Sequence, residues 1–451
     1  MVDVATSPTP GSEMAVDGRP LPDRSVVPPV WSRITNLTID HGEGSWLVTT
    51  DGERYLDYSS GIGVANTGHA HPRVAAAVAA QASKLIHGQQ NIVFHEPGLR
   101  LYDRLRHVLP PRADGGDWSA FLSNSGAEAV EAAVKLARVA TGRPAIIAFR
   151  GGFHGRTAQT MALTSAKDVY RASFEPLPGS VYHTAYPYCY RAAGGGHTPD
   201  RCTCDWEEQL DLTFHQFIYP DQVAGIIIEP VIGEGGYIVP PPGFLPRLRE
   251  ITREHGILLI ADEVQTGFGR TGRMFAVEHW DVEPDIVVMA KGIASGMPLS
   301  GLVARSELMD RWKPGVHGGT YGGNVVSCAA ANATLDVIRD EGLIDNAAKR
   351  GAQFLTGLRE LGASRRSIGD VRGLGLMLAL EFVKPDEGDG RVPNPELTKR
   401  VQAETLARKL IVLTAGTYVN VVRIIPPLVT TAEEVDHALG ILGESLAAAG
   451  A

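Results

Sequence analysis

The chain lacks several features that would decide its class at once. Only 4 cysteines occur in 451 residues, a usage that fits a reducing compartment rather than a disulfide framework. An excess of cationic side chains is missing as well. The 42 Lys+Arg against 51 Asp+Glu leave a formal charge of −9, which argues against nucleic acid or an anionic membrane as main partner. No apolar run approaches the length that spans a bilayer. The opening "MVDVATSPTPGSEMAVDG" has neither a basic n-region nor an apolar h-region. Together these absences predict a soluble, cytoplasmic protein. The apolar fraction of 44%, with 51 Gly and 29 Pro, suits a loop-rich globular enzyme with a large core and more than one domain.

Composition and pattern divide the chain into four parts. Residues 1–29 are rich in Pro, Ser, Asp and Gly without periodicity, which predicts a disordered or extended segment. Residues 30–75 carry short strands broken by Gly and Asp-Gly turns, the first part of a small domain. Residues 76–330 hold short apolar runs, among them "SAFLSN", "PAIIAFRGG", "VAGIIIEP", "GILLIADE", "PDIVVMAKG" and "LSGLVARS". These alternate with helical patterns such as "GAEAVEAAVKLARVATG", so a parallel sheet covered on both faces is expected, an α/β domain. Residues 331–451 return to helices plus "RGLGLMLALEFV" and "VVRIIPPLV", the second part of the small α+β domain.

Three of the cysteines, Cys189, Cys202 and Cys204, fall in "PYCYRAAGGGHTPDRCTCDW", with His183 and His197 close in sequence. A C-x-C with one distant cysteine does not match the common zinc spacings. A surface insertion with reduced thiols and no metal is expected.

The chemistry lies at the strand ends, where ligands bind in open parallel sheets. "IIIEP" ends on Glu229, "LLIAD" on Asp262 with Glu263 beside it, and "IVVMAK" on Lys291. A lysine leaving a buried run has a lowered pKa and can form an imine with an aldehyde. Pyridoxal phosphate is such an aldehyde, and its ring nitrogen requires a carboxylate such as Asp262. Its phosphate requires a helix N-terminus, which "SNSGAEAVEAAVKLAR" offers through Gly126 and Ala127. "RGGFHGRT" adds Phe153 as a stacking face and Arg156 as an anion ligand. "HGGTYGGN" adds Thr320.

These blocks, with "SGIGVANTGHAHP", "EPVIGEGGYIVPP", "ADEVQTGFGRTG" and "VRGLGLM", resemble the class III pyridoxal-phosphate aminotransferases, the family of 4-aminobutyrate and ornithine aminotransferases. The resemblance runs from about residue 30 to the C-terminus. It implies fold type I, which means a large domain with a mostly parallel seven-stranded sheet, a bipartite small domain, and a homodimer with shared sites. It implies Lys291 as the imine-forming and proton-shuttling residue and Asp262 as partner of the pyridine nitrogen. Val264 would pack on the ring opposite Phe153, Gln265 would bond the ring hydroxyl, and Ser125, Gly126 and Ala127 would hold the phosphate with the partner's Thr320. For substrates, amino acids and keto acids, it implies Arg156 on the distal carboxylate and Arg423 on the α-carboxylate of glutamate or 2-oxoglutarate. Glu234 would cover Arg423 when an ω-amino acid is bound. Ile62, Asn91 and Glu229 complete the expected substrate side. The insertion at about 187–206 also resembles longer relatives, some of them racemases, so racemisation by the same lysine stays open, as does a silent binding protein.

Overall fold

The computed structural model describes residues 22–192, 202 and 204–451. Of the segment expected to be disordered or extended, residues 1–21 lie outside the described part, and a single 3-10 turn forms at Arg24–Val26. Three strands follow: β1 (Ile39–Glu43), β2 (Trp46–Thr49) and β3 (Arg54–Asp57). Each pairs antiparallel with the next, the first turn passing through Gly44 at φ 55° and the second through Asp51-Gly52 with Gly52 at φ 84°.

The large sheet contains β4 (Trp118–Ser123), β5 (Ala145–Phe149), β6 (Val181–Thr184), β7 (Val223–Ile228), β8 (Leu258–Asp262), β9 (Ile286–Met289) and β10 (Ser300–Arg305). Their order is β4-β10-β9-β8-β7-β5-β6. Strands β5 to β9 run parallel, and β10 alone is reversed against both β4 and β9. The mostly parallel seven-stranded sheet of fold type I is therefore present. Every residue of β5 and β7 is buried, because helix Gly126–Thr141 covers one face and helices Trp206–Gln216 and Phe244–Glu254 cover the other. Strands buried on both faces need apolar side chains at every position, which is why they read as unbroken runs. Each such Ile or Val stabilises the sheet by about 1.5–3 kcal/mol.

The remaining strands are β11 (Ile368–Leu374), β12 (Met377–Lys384), β13 (Val392–Pro393), β14 (Leu410–Ile411), β15 (Leu413–Ala415) and β16 (Val421–Ile424). Strand β14 lies parallel to β3 and closes the sheet β1-β2-β3-β14, while β11, β12, β16 and β15 form an antiparallel sheet edged by β13. Both ends of the chain thus build the small domain. Arg270, fully buried, ties the parts together. It donates to the carbonyls of Leu376 and Pro426 and to Asn66 Oδ1 at 2.9 Å. Burial pushes its pKa down to about 10.

The insertion departs from expectation. Cys189 and Cys202 are paired as a disulfide, so the reading of three reduced thiols is corrected. The turn Cys189–Arg191, anchored by Arg191 on Glu381, folds Cys189 back toward Cys202, a proximity that sequence spacing does not reveal. His197 lies outside the described residues. Among the described residues, no helix is long and apolar enough to cross a membrane.

Candidate active site

Because β4, β5, β7, β8 and β9 share a direction, their carboxyl ends form one edge, and a cavity of about 400 Å³ opens there. The reversed β10 contributes its entry segment, so Met297, Pro298 and Leu299 close one side. Of the residues expected from the sequence, Ser125, Gly126, Ala127, Phe153, Arg156, Glu229, Glu234, Asp262, Val264, Gln265 and Lys291 line this cavity. Arg423 meets it through an ion pair with Glu234. Three expected residues do not line it within the single chain. Ile62 is 46% exposed, and Asn91 and Thr320 are exposed on neighbouring surface segments.

The floor is made of buried charge. Asp262, at the end of β8, is 3% exposed. Its Oδ2 lies 2.7 Å from His154 Nδ1, and its Oδ1 accepts from Val264 N at 3.1 Å. Burial alone would lower the pKa of His154, but the bond and charge of Asp262 outweigh it and raise the value. Asp262 is therefore held in place by a group favouring the imidazolium. Glu263, fully buried, faces away from the cavity. It accepts from the Thr266 hydroxyl and from Val277 N at 2.9 Å, and burial pushes its pKa up to about 7. The two adjacent carboxylates thus play different parts. Asp262 belongs to the cavity, and Glu263 fixes the turn that follows.

Lys291 follows β9 with φ 44°, a left-handed conformation that non-glycine residues avoid. Such strain concentrates at functional sites. Burial lowers its pKa to about 8, against the opposing charges of Glu234, Glu229 and Asp262. Glu229 accepts from Phe153 N at 2.7 Å and Gly233 N at 2.9 Å. Burial raises its pKa to about 7, opposed by His154.

Helix Gly126–Thr141 starts on the Ser125 cap, with Glu128 returning a bond to Ser125 N at 2.8 Å. First-turn N–H groups have no intrahelical partner, so Gly126 and Ala127 present donors to the cavity wall. A Cβ at Gly126 would stand 3.1 Å from Val264 Cγ1, so a small residue keeps the helix close to the floor.

The mouth carries the charges expected to meet substrate. Arg423 donates to Glu234 Oε1, while its own Nε is buried without a partner. Burial would raise the pKa of Glu234, but the Arg423 cation outweighs it and lowers the value. Sequence pattern does not single out His154 on the floor, or Lys167 and Tyr170 beside Glu234 and Arg156. Tyr170 donates to Glu234 Oε2 at 3.3 Å, its ring meets Phe153 edge-on at 5.1 Å, and the Arg156 guanidinium sits 4.7 Å over it. Lys167 Nζ lies 5.8 Å from the same ring, its pKa lowered by burial. "SAKDVY" is an irregular polar stretch whose only signal is nearness to "GGFHGRT".

Residues 28–446 match the model of the class III aminotransferases. The chain belongs to this family. The aminotransferase is 41% identical to the 4-aminobutyrate aminotransferase GabT of Escherichia coli (strain K12), over 91% of this chain and 94% of the relative. It is 40% identical to the 5-aminovalerate aminotransferase DavT of Pseudomonas aeruginosa, over 93% and 96%. Among solved structures, a Bacillus anthracis aminotransferase superposes with a TM-score of 0.85 at 31% identity, covering 93% of this chain and 96% of that one. An amine transaminase from an uncultivated Pseudomonas species, in its PLP-bound form, gives 0.84 at 34% identity, covering 92% and 94%.

The cofactor of this class is pyridoxal 5'-phosphate, and the aminotransferase's cavity fits it. Gln265 Oε1 is buried, lines the cavity and has no hydrogen-bond partner among the described residues. A buried acceptor left in this way requires a donor from a ligand. Backbone donors at one end, the Asp262 carboxylate on the floor and the amine of Lys291 match the cofactor's phosphate, ring nitrogen and aldehyde.

Proposed function

We propose that this aminotransferase moves the amino group of an ω-amino acid, 4-aminobutyrate foremost, to 2-oxoglutarate, giving a semialdehyde and glutamate in alternating half-reactions. The observation that carries this reading is Glu234 closed on Arg423 while Arg156 stands exposed nearby, over the Tyr170 ring whose hydroxyl reaches Glu234. An ω-amino acid brings one carboxylate, which Arg156 holds, and Glu234 keeps the second guanidinium neutralised. 2-Oxoglutarate brings two carboxylates, so Glu234 moves aside and Arg423 takes the second. An unpaired buried guanidinium is costly, and the exchange avoids it in both halves.

Bound pyridoxal phosphate supplies an aldehyde that condenses with amino groups and a ring that accepts an electron pair. Lys291 would anchor it and, once released as the free amine that burial favours, would take up and return the proton of the substrate carbon at Nζ. Asp262, oriented by His154, would keep the ring nitrogen protonated. Gln265 would bond the ring hydroxyl, Val264 and Phe153 would bracket the ring, and the N–H groups of Gly126 and Ala127, with Ser125, would hold the phosphate. Met297, Leu299 and Phe153 limit water at the reacting centre.

In this reading the active unit is a cytoplasmic homodimer. Ile86, Ile92, Phe94 and Tyr321 are 66%, 78%, 82% and 63% exposed, an apolar surface of the kind that marks an interface. Its two segments are tied together by Asn324 Nδ2 donating to Ile86 O at 3.0 Å and Gln90 Nε2 to Gly323 O at 3.0 Å. Asn91 and Thr320 lie on these segments, and Thr320 of the partner subunit would complete the phosphate site, with Asn91 and the exposed Ile62 at the substrate entry. A panel of amino donors with 2-oxoglutarate tests the reading. Turnover of 4-aminobutyrate and 5-aminovalerate well above that of α-amino acids supports it. Turnover of α-amino acids alone, or interconversion of their enantiomers without a keto acid, overturns it.

A further inference from the structure

Away from the cavity described above, three sulfurs converge. Cys189, in the turn Cys189–Arg191, meets Cys202 and Cys204, which precede helix Trp206–Gln216, and all three Sγ atoms lie within 4.8 Å of one another. Cys189 is buried and the other two are half-buried, with Cys204 packed against the apolar cluster under the large sheet. A Cys189–Cys202 disulfide uses two sulfurs and leaves Cys204 beside them, its thiol pushed by burial up to about 11. One soft cation uses all three.

We propose that in the reduced protein Cys189, Cys202 and Cys204 bind one zinc ion, with the fourth tetrahedral position taken by water. Thiolates about 2.3 Å from zinc stand roughly 3.8 Å from one another in a tetrahedron, which is within the 4.8 Å that holds all three Sγ atoms but wider than the 2.6 Å between Cys202 and Cys204, so these two move apart on binding. Binding displaces the thiol protons, which the cation's charge makes favourable even for a buried thiol. The disulfide is then the oxidised form of the same cluster. A small-molecule disulfide takes two electrons from the Cys189 and Cys202 thiolates, is itself reduced to two thiolates, and the ion leaves. The site sits in a segment already braced, with the Tyr190 and Ala192 carbonyls held by Arg391 at 2.8 and 3.0 Å and Arg191 bound to Glu381.

Full-length holoenzyme purified under reducing conditions and loaded with zinc should carry about one ion per chain by elemental analysis after passage over a chelator. Cobalt in its place should show thiolate charge-transfer and tetrahedral ligand-field bands. Cys204→Ser should lose the ion and the bands, and an alkylating reagent should label all three cysteines of wild type only after strong chelation. Zinc at no more than trace level in reduced wild type overturns the proposal. So does full retention in Cys204→Ser, or free labelling of Cys204 while Cys189 and Cys202 stay joined in reductant.

Discussion

Two buried carboxylate–guanidinium groups sit on the same small sheet, two positions apart in register, and they differ in how fully their partners are satisfied. Ala379 of β12 faces Arg423 of β16, and Glu381 faces Val421. Glu381 accepts from Arg372 Nη1 at 2.7 Å, Arg191 Nε at 2.7 Å, Asn420 Nδ2 at 3.2 Å and the Tyr188 hydroxyl. Arg372 also donates to Asp370 at 2.7 Å and to Gly236 O at 2.6 Å. Around Glu234 and Arg423 there is one direct ion pair, one weak bond from Tyr170 at 3.3 Å, and a partnerless Nε. A network of this density holds structure even with Arg191 Nη2 left without a hydrogen bond, because any movement leaves several buried charges unpaired. A sparse pair beside a cavity can exchange its partner for a ligand.

The contrast breaks most visibly at Arg372. Arg372→Ala leaves Glu381 under-compensated, and removing one partner of a buried pair costs about 3–5 kcal/mol. Thermal unfolding should show a large fall in Tm, with the ratio of the two half-reaction rates unchanged. A changed ratio with an unchanged Tm would erase the distinction between the pairs. Glu234→Gln should act the other way. It leaves Arg423 uncovered when an ω-amino acid is bound, slowing that half-reaction by about ten- to a hundredfold, about 1.4–2.7 kcal/mol, with little loss of Tm. Stopped-flow rates for each half measure this directly.

The pH response of Lys291 is a smaller effect. Its pKa is lowered to about 8 by burial, so the neutral amine that reacts with an aldehyde falls off below that value. Stripped enzyme should reload pyridoxal phosphate about tenfold more slowly per unit of pH below about 8 and level off above it, whereas an ordinary lysine would keep gaining to about 10.4. Absorbance of the bound cofactor gives the profile. The smallest effect belongs to Tyr170. Tyr170→Phe removes one bond to Glu234, about 0.5–1.5 kcal/mol. The preference between ω-amino acid and 2-oxoglutarate should shift by a few-fold while kcat with an unselective donor stays the same.

The part of the molecule legible in the sequence is the part dictated by burial on both faces. The runs at β4, β5 and β7 to β10 announce themselves because helices cover the whole sheet, and the charges Glu229, Asp262 and Lys291 stand out where those runs stop. Strand β6 is missed, since "VYHT" sits at the sheet edge, half-buried at three of its four positions. Reversal of β10 is equally invisible, because a buried strand reads the same in either direction. Glu263 beside Asp262 and Arg372 beside Arg423 show the limit for the site. Each pair of like residues follows similar sequence signals, and only the folded chain shows which member faces the cavity and which is tied into the surrounding structure. Tyr170, Lys167 and the sulfur cluster arise from loops folding back, where no periodicity records proximity.

The partner exchange at Arg423 is tested most directly by single-turnover kinetics on Arg423→Ala. One half-reaction starts from the pyridoxal form with 4-aminobutyrate, the other from the pyridoxamine form with 2-oxoglutarate. A desolvated charge-assisted pair is worth about 2–5 kcal/mol. The 2-oxoglutarate half should therefore slow at least about 30-fold more than the 4-aminobutyrate half. Equal slowing of both halves would contradict the exchange.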